Sequence, residues 1–276
     1  MFFRLQRRLK KMSSKHDDWV KGVEKRAKDF AKKHSATYNK KKRELSASFE
    51  IGCFHALLNY YQGVGYNISV QNLVDGEYRY LTTPNGNPDN FSYILLSGND
   101  GFFELRQQVR IFSHLDGDIA FAPDIVVLFK GSEISAIKDD DYASGKRPFY
   151  TVSSKSVVAV HECKSMVPFP ELLVSFIGMF VTAHGWYRDS DDDDSPLSES
   201  GLHLAPTMFV GGTARAMHLK MIRAIERTYP VNIVVGLHQG TWNLYSDNRK
   251  LNKLTMEALS PLNPDPFAGG DDDIPF

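Results

Sequence analysis

The chain has 276 residues, of which 42% are hydrophobic and 24% charged, a composition typical of a globular protein with ample apolar material for a core. Lys and Arg balance Asp and Glu at 33 each, and no apolar run approaches the roughly 18 residues that a membrane-spanning helix needs. Only two cysteines are present, which excludes a disulfide framework. We therefore expect a cytoplasmic protein with no membrane partner.

Charge is distributed unevenly along the chain. The first 44 residues hold 16 Lys and Arg against 5 Asp and Glu, so the remainder carries an equal acidic excess. Apolar residues from Trp19 to Phe30 recur at helical spacing, which predicts that residues 1–45 form a basic helical arm. Such an arm is expected either to contact a polyanion or to be a solvated surface helix, and the sequence leaves both open.

Residues 46–257 are predicted to form one α/β domain, because helical and strand-like apolar patterns alternate along them. The stretch 66–100 between the first helix and the first long strand is rich in turns and is expected to form an insertion or edge hairpins. The predicted helices are Ser48–Tyr61, 170 to about 184, and Ala214–Thr228, and the predicted strands are Glu104–Phe112, Asp124–Phe129, Val157–Cys163, Thr207–Val210 and Asn232–Leu237. Residues 258–276 predict a disordered acidic tail.

Two of these strands carry residues suited to metal-dependent chemistry. Glu162 and Lys164 are two apart on one strand, so they share a face, and Cys163 points to the other. If the strand that follows Asp124 is a neighbour, Asp124 and Glu162 converge on one site. Carboxylate oxygens are preferred ligands of Mg²⁺, with Mn²⁺ as a substitute, and the main-chain carbonyl of Cys163 could add a third ligand.

The segments Pro123–Asp124 and Glu162–Cys163–Lys164, each at an apolar strand, resemble the motif of the PD-(D/E)xK, or restriction-endonuclease-like, nucleases. The order of elements over about residues 48–240 is similar to the core of that superfamily. The resemblance implies a mixed central sheet flanked by helices, a metal held by Asp124 and Glu162, and Lys164 beside the attacking water. The stretch of sequence between Pro123–Asp124 and Glu162–Cys163–Lys164 is long for the family, so we expect an insertion between these two halves of the motif.

Many members of the superfamily carry a further acid on the first core helix. Glu50 lies on the predicted helix Ser48–Tyr61 and is our candidate for this catalytic and metal-binding role. Glu104 and Gln107 near the next strand compete with it, and a carboxylate near a helix N-terminus is also favourable for the helix dipole alone. His161 is predicted to be a packing or hydrogen-bonding residue, because it points away from Glu162.

The last six residues are a second signal. They resemble the acidic tip of bacterial single-stranded DNA-binding protein (SSB), and they are Asp271, Asp272, Asp273, Ile274, Pro275 and Phe276. Phe276 offers an aromatic ring for an apolar pocket and a carboxylate for an arginine, and the aspartates attract a basic rim. The resemblance implies docking on proteins that recognise the SSB tip, and the alternative is a simple solubility tail.

The sequence therefore predicts an Mg²⁺-dependent endonuclease acting on DNA, in bacterial anti-phage defence, restriction or DNA processing. RNA is an alternative substrate, and both a homodimer and a separate partner subunit are open. The competing hypothesis is a non-catalytic adaptor with a nuclease-like fold, which binds nucleic acid and recruits SSB-interacting proteins through its tail.

Overall fold

The computed structural model describes residues 45–83, 90–113, 118–136, 150–179, 203–239 and 251–254, together with residues 25, 36–37 and 244. Most of the predicted basic arm and the whole of the predicted tail, residues 258–276, lie outside these ranges. Within the described ranges, no helix is long and apolar enough to cross a membrane.

The described residues contain three helices and thirteen strands. The helices are α1 (Leu45–Gly63), α2 (Pro170–Met179) and α3 (Ala216–Thr228), with short 3-10 turns at Ser154–Ser156 and Leu237–Gln239. The strands are β1 (Ala36–Thr37), β2 (Asn67–Gln71), β3 (Tyr78–Arg79), β4 (Tyr93–Gly98), β5 (Gly101–Gln107), β6 (Arg110–Phe112), β7 (Ala120–Phe121), β8 (Ile125–Phe129), β9 (Ser135–Ala136), β10 (Tyr150–Val152), β11 (Val157–Lys164), β12 (Thr207–Val210) and β13 (Asn232–Val235).

Seven strands form the central sheet in the order β13-β12-β11-β8-β5-β4-β2. In this sheet β2, β4, β5, β8 and β11 pair antiparallel, each with the next, whereas β11, β12 and β13 run parallel. Parallel neighbours need a crossover connection, and α2 and α3 lie in the two connections that join them. The protein is therefore a mixed α/β fold with a mostly antiparallel sheet flanked by helices, as the alternating pattern predicted.

One face of the sheet is covered by α1. This helix begins at Leu45, three residues before the predicted start, and every residue from Ser48 to Tyr61 except Asn59 is buried. A helix that is buried on all sides must lie at the centre of the molecule, and its near-continuous apolar sequence allows this. Its main partners on the sheet are Phe103, Leu105, Val127, Ala159 and Phe209.

Two separate groups of elements cover the opposite face. Helices α2 and α3 pack on β12 and β13 through residues that include Leu173, Phe176 and Ile222. A second sheet, in the order β7-β6-β10-β9, packs on β8 and β11. Val160 of β11 belongs to this second contact, and by alternation Glu162 and Lys164 share its face.

The predicted strand Glu104–Phe112 is wrong in one respect, since it is two strands in two sheets. β5 ends at Gln107, Gln108 has a φ of 54°, and β6 begins at Arg110. A residue in the left-handed region interrupts the extended backbone and redirects the chain. Periodicity cannot reveal such a break, because glutamine is uncommon in this conformation and the flanking residues still suit a strand.

The long segment between the two halves of the motif contributes to the second sheet. β9 and β10, together with the 3-10 turn Ser154–Ser156, lie between β8 and β11. β10 pairs parallel with β6 and antiparallel with β9. The described part of this insertion therefore packs on β8 and β11 from the side opposite α1.

Candidate active site

The end of β11 lies beside the start of β8, which brings the two halves of the motif together. Asp124 immediately precedes β8, and the neighbouring pair His161 and Ile125 fixes the register of the two strands. The main-chain amide of Cys163 donates a 2.7 Å hydrogen bond to Oδ2 of Asp124. The expected convergence of Asp124 with the Glu162–Lys164 pair is therefore what the structure contains.

Lys164 joins the two acidic side chains. Its Nζ lies 2.8 Å from Oε2 of Glu162 and 3.7 Å from Oδ2 of Asp124. Burial acts to lower the pKa of Lys164, but the two carboxylates outweigh it and the pKa is raised. The side chain is therefore a cation at neutral pH. It is one-third exposed, whereas that of Glu162 is 8% exposed, so the ammonium group is the solvent-facing member of the pair.

Glu50 of α1 is the third carboxylate of the site. Gln107 donates to its Oε1 at 3.0 Å and Gln108 donates to its Oε2 at 3.2 Å. The Gln108 amide also donates to Oδ1 of Asp124 at 3.0 Å, so one side chain bridges two acids. Burial, followed by the negative charge of Asp124, raises the pKa of Glu50 well above its ordinary value.

The surroundings of Glu162 also disfavour its charged form. Burial, and then the charge of Asp124, raise its pKa to about 7, although Lys164 acts in the opposite direction. Two acids whose pKa values are both raised in one place indicate an excess of negative charge at a poorly solvated site. Perturbed carboxylates of this kind are typical of functional sites, because removal of charges from water otherwise destabilises the fold.

Glu104, the competing candidate for the additional acid, lies elsewhere. Its Oε2 forms a 2.7 Å ion pair with Nε of Arg106, and its Oε1 accepts from the Gly131 amide at 3.2 Å. The Arg106 guanidinium in turn lies 3.7 Å from the centre of the Tyr93 ring. Alternation along β5 places Glu104 on the opposite face from Gln107. Glu104 therefore has a structural partner, and Glu50 is the acid next to Asp124.

His161 and Cys163 face α1, away from Glu162. His161 is fully buried, and burial lowers its pKa to about 3, so the ring is neutral and packs near Phe209. The thiol of Cys163 contacts that of Cys53 on α1 by a hydrogen bond, and both thiols are free. The ring of His161 packs in the core, which agrees with the packing role predicted for it.

Two glutamines of the site are not predicted by the motif. Gln107 and Gln108 both donate to Glu50, whereas the sequence offers Gln107 only as a rival of Glu50 and does not indicate Gln108. A signal was present, because two consecutive amides at the end of a strand are unusual polar material next to an apolar core. Their joint direction toward α1 depends on the backbone of Gln108 and is not encoded in periodicity.

The donor set limits how a cation could bind. Among the described residues, no group of three or more His, Cys, Asp or Glu side chains could together hold a metal ion. Mg²⁺ does not need such a cage, since it is usually bound by one or two carboxylates and completes its shell with water. Asp124 and Glu162, with the adjoining main chain of Cys163, fit that requirement, because two carboxyl groups share the site with the single cation of Lys164.

Comparison of the chain with family models, with curated proteins and with solved structures found no match. The function of the site must therefore be inferred from its own residues.

Proposed function

We propose that this protein is a metal-dependent nuclease that hydrolyses phosphodiester bonds of DNA, with Asp124, Glu162 and Lys164 as its catalytic core. The observation that carries the proposal is the convergence of these side chains at the ends of β8 and β11, with Lys164 bonded to Glu162 and near Asp124. The resemblance of Pro123–Asp124 and Glu162–Cys163–Lys164 to the PD-(D/E)xK motif supports the same conclusion.

Each side chain has a distinct task in this proposal. Asp124 and Glu162, with the Cys163 carbonyl, would hold Mg²⁺ or Mn²⁺, and the bound cation would supply Lewis-acid stabilisation of the developing phosphate charge. Lys164 carries its positive charge at the solvent-facing side of the pair, where it can orient a water molecule and stabilise the phosphorane oxygens. Glu50 adds a further acid next to Asp124, connected to it through Gln108.

The test is a cleavage assay on supercoiled plasmid, linear duplex, single-stranded DNA and RNA, with Mg²⁺ and with EDTA. We expect Mg²⁺-dependent cleavage that Lys164→Met lowers by roughly 100-fold or more, because removal of one stabilising charge typically costs that much. Lys130→Met is the matched control, since Lys130 is an exposed lysine at the other end of β8. Equal cleavage by wild type and Lys164→Met would contradict the proposal, and cleavage of RNA alone would correct its substrate.

A second proposal concerns partners and rests on the sequence of the tail. We infer that residues 271–276, which lie outside the described residues, dock on bacterial proteins that recognise the SSB tip. The full chain should displace a fluorescent SSB-tip peptide from such a protein, and a chain lacking Phe276 should not. Displacement without any nuclease activity on the four substrates would favour the non-catalytic adaptor.

A further inference from the structure

Two consecutive glutamines, Gln107 and Gln108, hydrogen-bond to the carboxyl group of Glu50. The Nε2 atoms of Gln107 and Gln108 donate to the two different oxygens of Glu50, at 3.0 and 3.2 Å. All three residues are at least nine-tenths buried, so these bonds are made away from bulk water. Each carboxyl oxygen of Glu50 thus has its own amide donor. These two hydrogen bonds therefore restrain the orientation of the Glu50 carboxyl group.

The backbone conformation of Gln108 allows the side chains of both glutamines to reach Glu50. In a regular strand the side chains of residues 107 and 108 would point to opposite faces. Gln108 has a φ of 54°, in the left-handed region, and the alternation is broken at this residue. This conformation is unfavourable for a residue other than glycine, and such strain persists where surrounding contacts fix it. Here the contacts that fix it are bonds to two acids.

Gln108 is attached to Asp124 at two points. Its main-chain amide donates to the Asp124 carbonyl at 3.1 Å, and its side-chain amide donates to Oδ1 at 3.0 Å. Oδ2 of the same carboxylate accepts from the Cys163 amide at 2.7 Å. Oδ1 thus accepts from Gln108, whereas Oδ2 accepts from Cys163 and also lies 3.7 Å from Nζ of Lys164. The carboxylate plane is set by Gln108 on one side and by β11 on the other.

We propose that Gln108 is the positioning residue of the site, whose amide holds Asp124 and Glu50 together in the orientation that binds the cation. The inference rests on the proposed metal-dependent function and deepens it. The Gln108 amide is buried and donates to the two acids, so we expect it to act through them. Partners that orient metal ligands typically change metal affinity or activity 10- to 100-fold when removed.

The test uses Gln108→Gly, because glycine adopts a positive φ without strain and the fold is therefore retained while the amide is lost. Asp75→Gly is the matched control, since Asp75 has a φ of 54° and an 88% exposed side chain remote from the site. Gln107→Met is a second comparison, because Gln107 donates to Glu50 whereas the bridge to Asp124 is made by Gln108. Mg²⁺ and Mn²⁺ binding is measured by calorimetry on the full chain without nucleic acid.

We expect Gln108→Gly to weaken cation binding roughly 10- to 100-fold, Gln107→Met to weaken it less, and Asp75→Gly to leave it unchanged. At saturating Mg²⁺, Gln108→Gly should lower kcat for DNA cleavage while KM for DNA stays within about twofold, a split that a merely structural defect would not produce. Wild-type cation affinity and kcat in Gln108→Gly would overturn the inference and leave the nuclease proposal standing. A wild-type chain that binds neither cation would overturn both.

Discussion

The main-chain amide of Cys163 donates to the carboxylate of Asp124 over 2.7 Å, and this bond adds to the antiparallel pairing of β8 and β11 at the end where the motif lies. It orients Asp124 toward the end of β11, where Lys164 and Glu162 emerge. The side chain of Cys163 meanwhile faces α1, so the residue between the two motif positions has a backbone role at the site and a packing role in the core.

Asp124→Asn should weaken Mg²⁺ or Mn²⁺ binding at least tenfold and lower cleavage by roughly 100-fold or more, because the substitution removes the ligand charge. Both oxygens of Asp124 accept hydrogen bonds, so the amide nitrogen of asparagine would also face a donor. Calorimetric titration with the cation and a plasmid assay measure the two effects. Asp75→Asn, which removes an exposed carboxylate, is the control; unchanged cation affinity in Asp124→Asn would contradict the metal assignment.

Glu162→Gln should stabilise the metal-free protein at high pH. The pKa of Glu162 is raised to about 7 from 4.5, mainly by burial and then by Asp124, so the folded state prefers the protonated acid. That contribution to stability is complete below pH 4.5 and is lost as pH rises through about 7. In EDTA, the melting temperature of Glu162→Gln should match wild type near pH 4.5 and exceed it by a few degrees at pH 8. A gap that does not grow with pH would refute this account of Glu162.

The same shift predicts competition between protons and the cation. Below pH 7 the carboxyl of Glu162 holds a proton in the metal-free protein, which must leave before the oxygen can bind Mg²⁺. Cation affinity should therefore fall up to about tenfold per pH unit below 7 and level off above it. Calorimetry in two buffers of different ionisation enthalpy would detect the released proton. Glu162→Gln should release none, and a flat affinity between pH 5.5 and 8 would exclude the competition.

Much of this arrangement could be predicted from the sequence, because it depends on local rules. The apolar runs gave β8, β11, β12 and β13 their places, and alternation placed Glu162 and Lys164 on one face with Cys163 on the other. The meeting of Asp124 with Glu162 required only that the two strands be neighbours, which a motif at two strand ends suggests.

The remaining features depend on tertiary contacts. The bridge from Gln108 to Glu50 and Asp124 needs a left-handed backbone that no periodic pattern announces. The contact between the Cys53 and Cys163 thiols depends on which side of α1 meets the sheet, and a helix apolar all round has no stripe to show it. The second sheet pairs β6 with β10 across a long stretch of chain, which local propensity does not specify.

Gly211 should tolerate a larger residue poorly. It follows β12, donates its amide to the Lys164 carbonyl at 2.9 Å and accepts from the His238 amide at 2.9 Å. A methyl group added at Gly211 would overlap the His238 imidazole, which itself packs on the ring of Phe49. Overpacking of this kind costs about 1–3 kcal/mol, and the displacement would be transmitted to Lys164 through the hydrogen bond.

The matched control for Gly211→Ala is Gly178→Ala on α2, where an added methyl group meets no atom within 4 Å. Alanine is favoured over glycine inside a helix by up to about 1 kcal/mol, so Gly178→Ala should raise the free energy of unfolding. Denaturant unfolding of both variants gives the comparison, with cleavage at saturating Mg²⁺ as the second readout. We expect Gly211→Ala to lose both stability and activity and Gly178→Ala to lose neither. A fully stable and active Gly211→Ala would show that His238 does not pack against this turn.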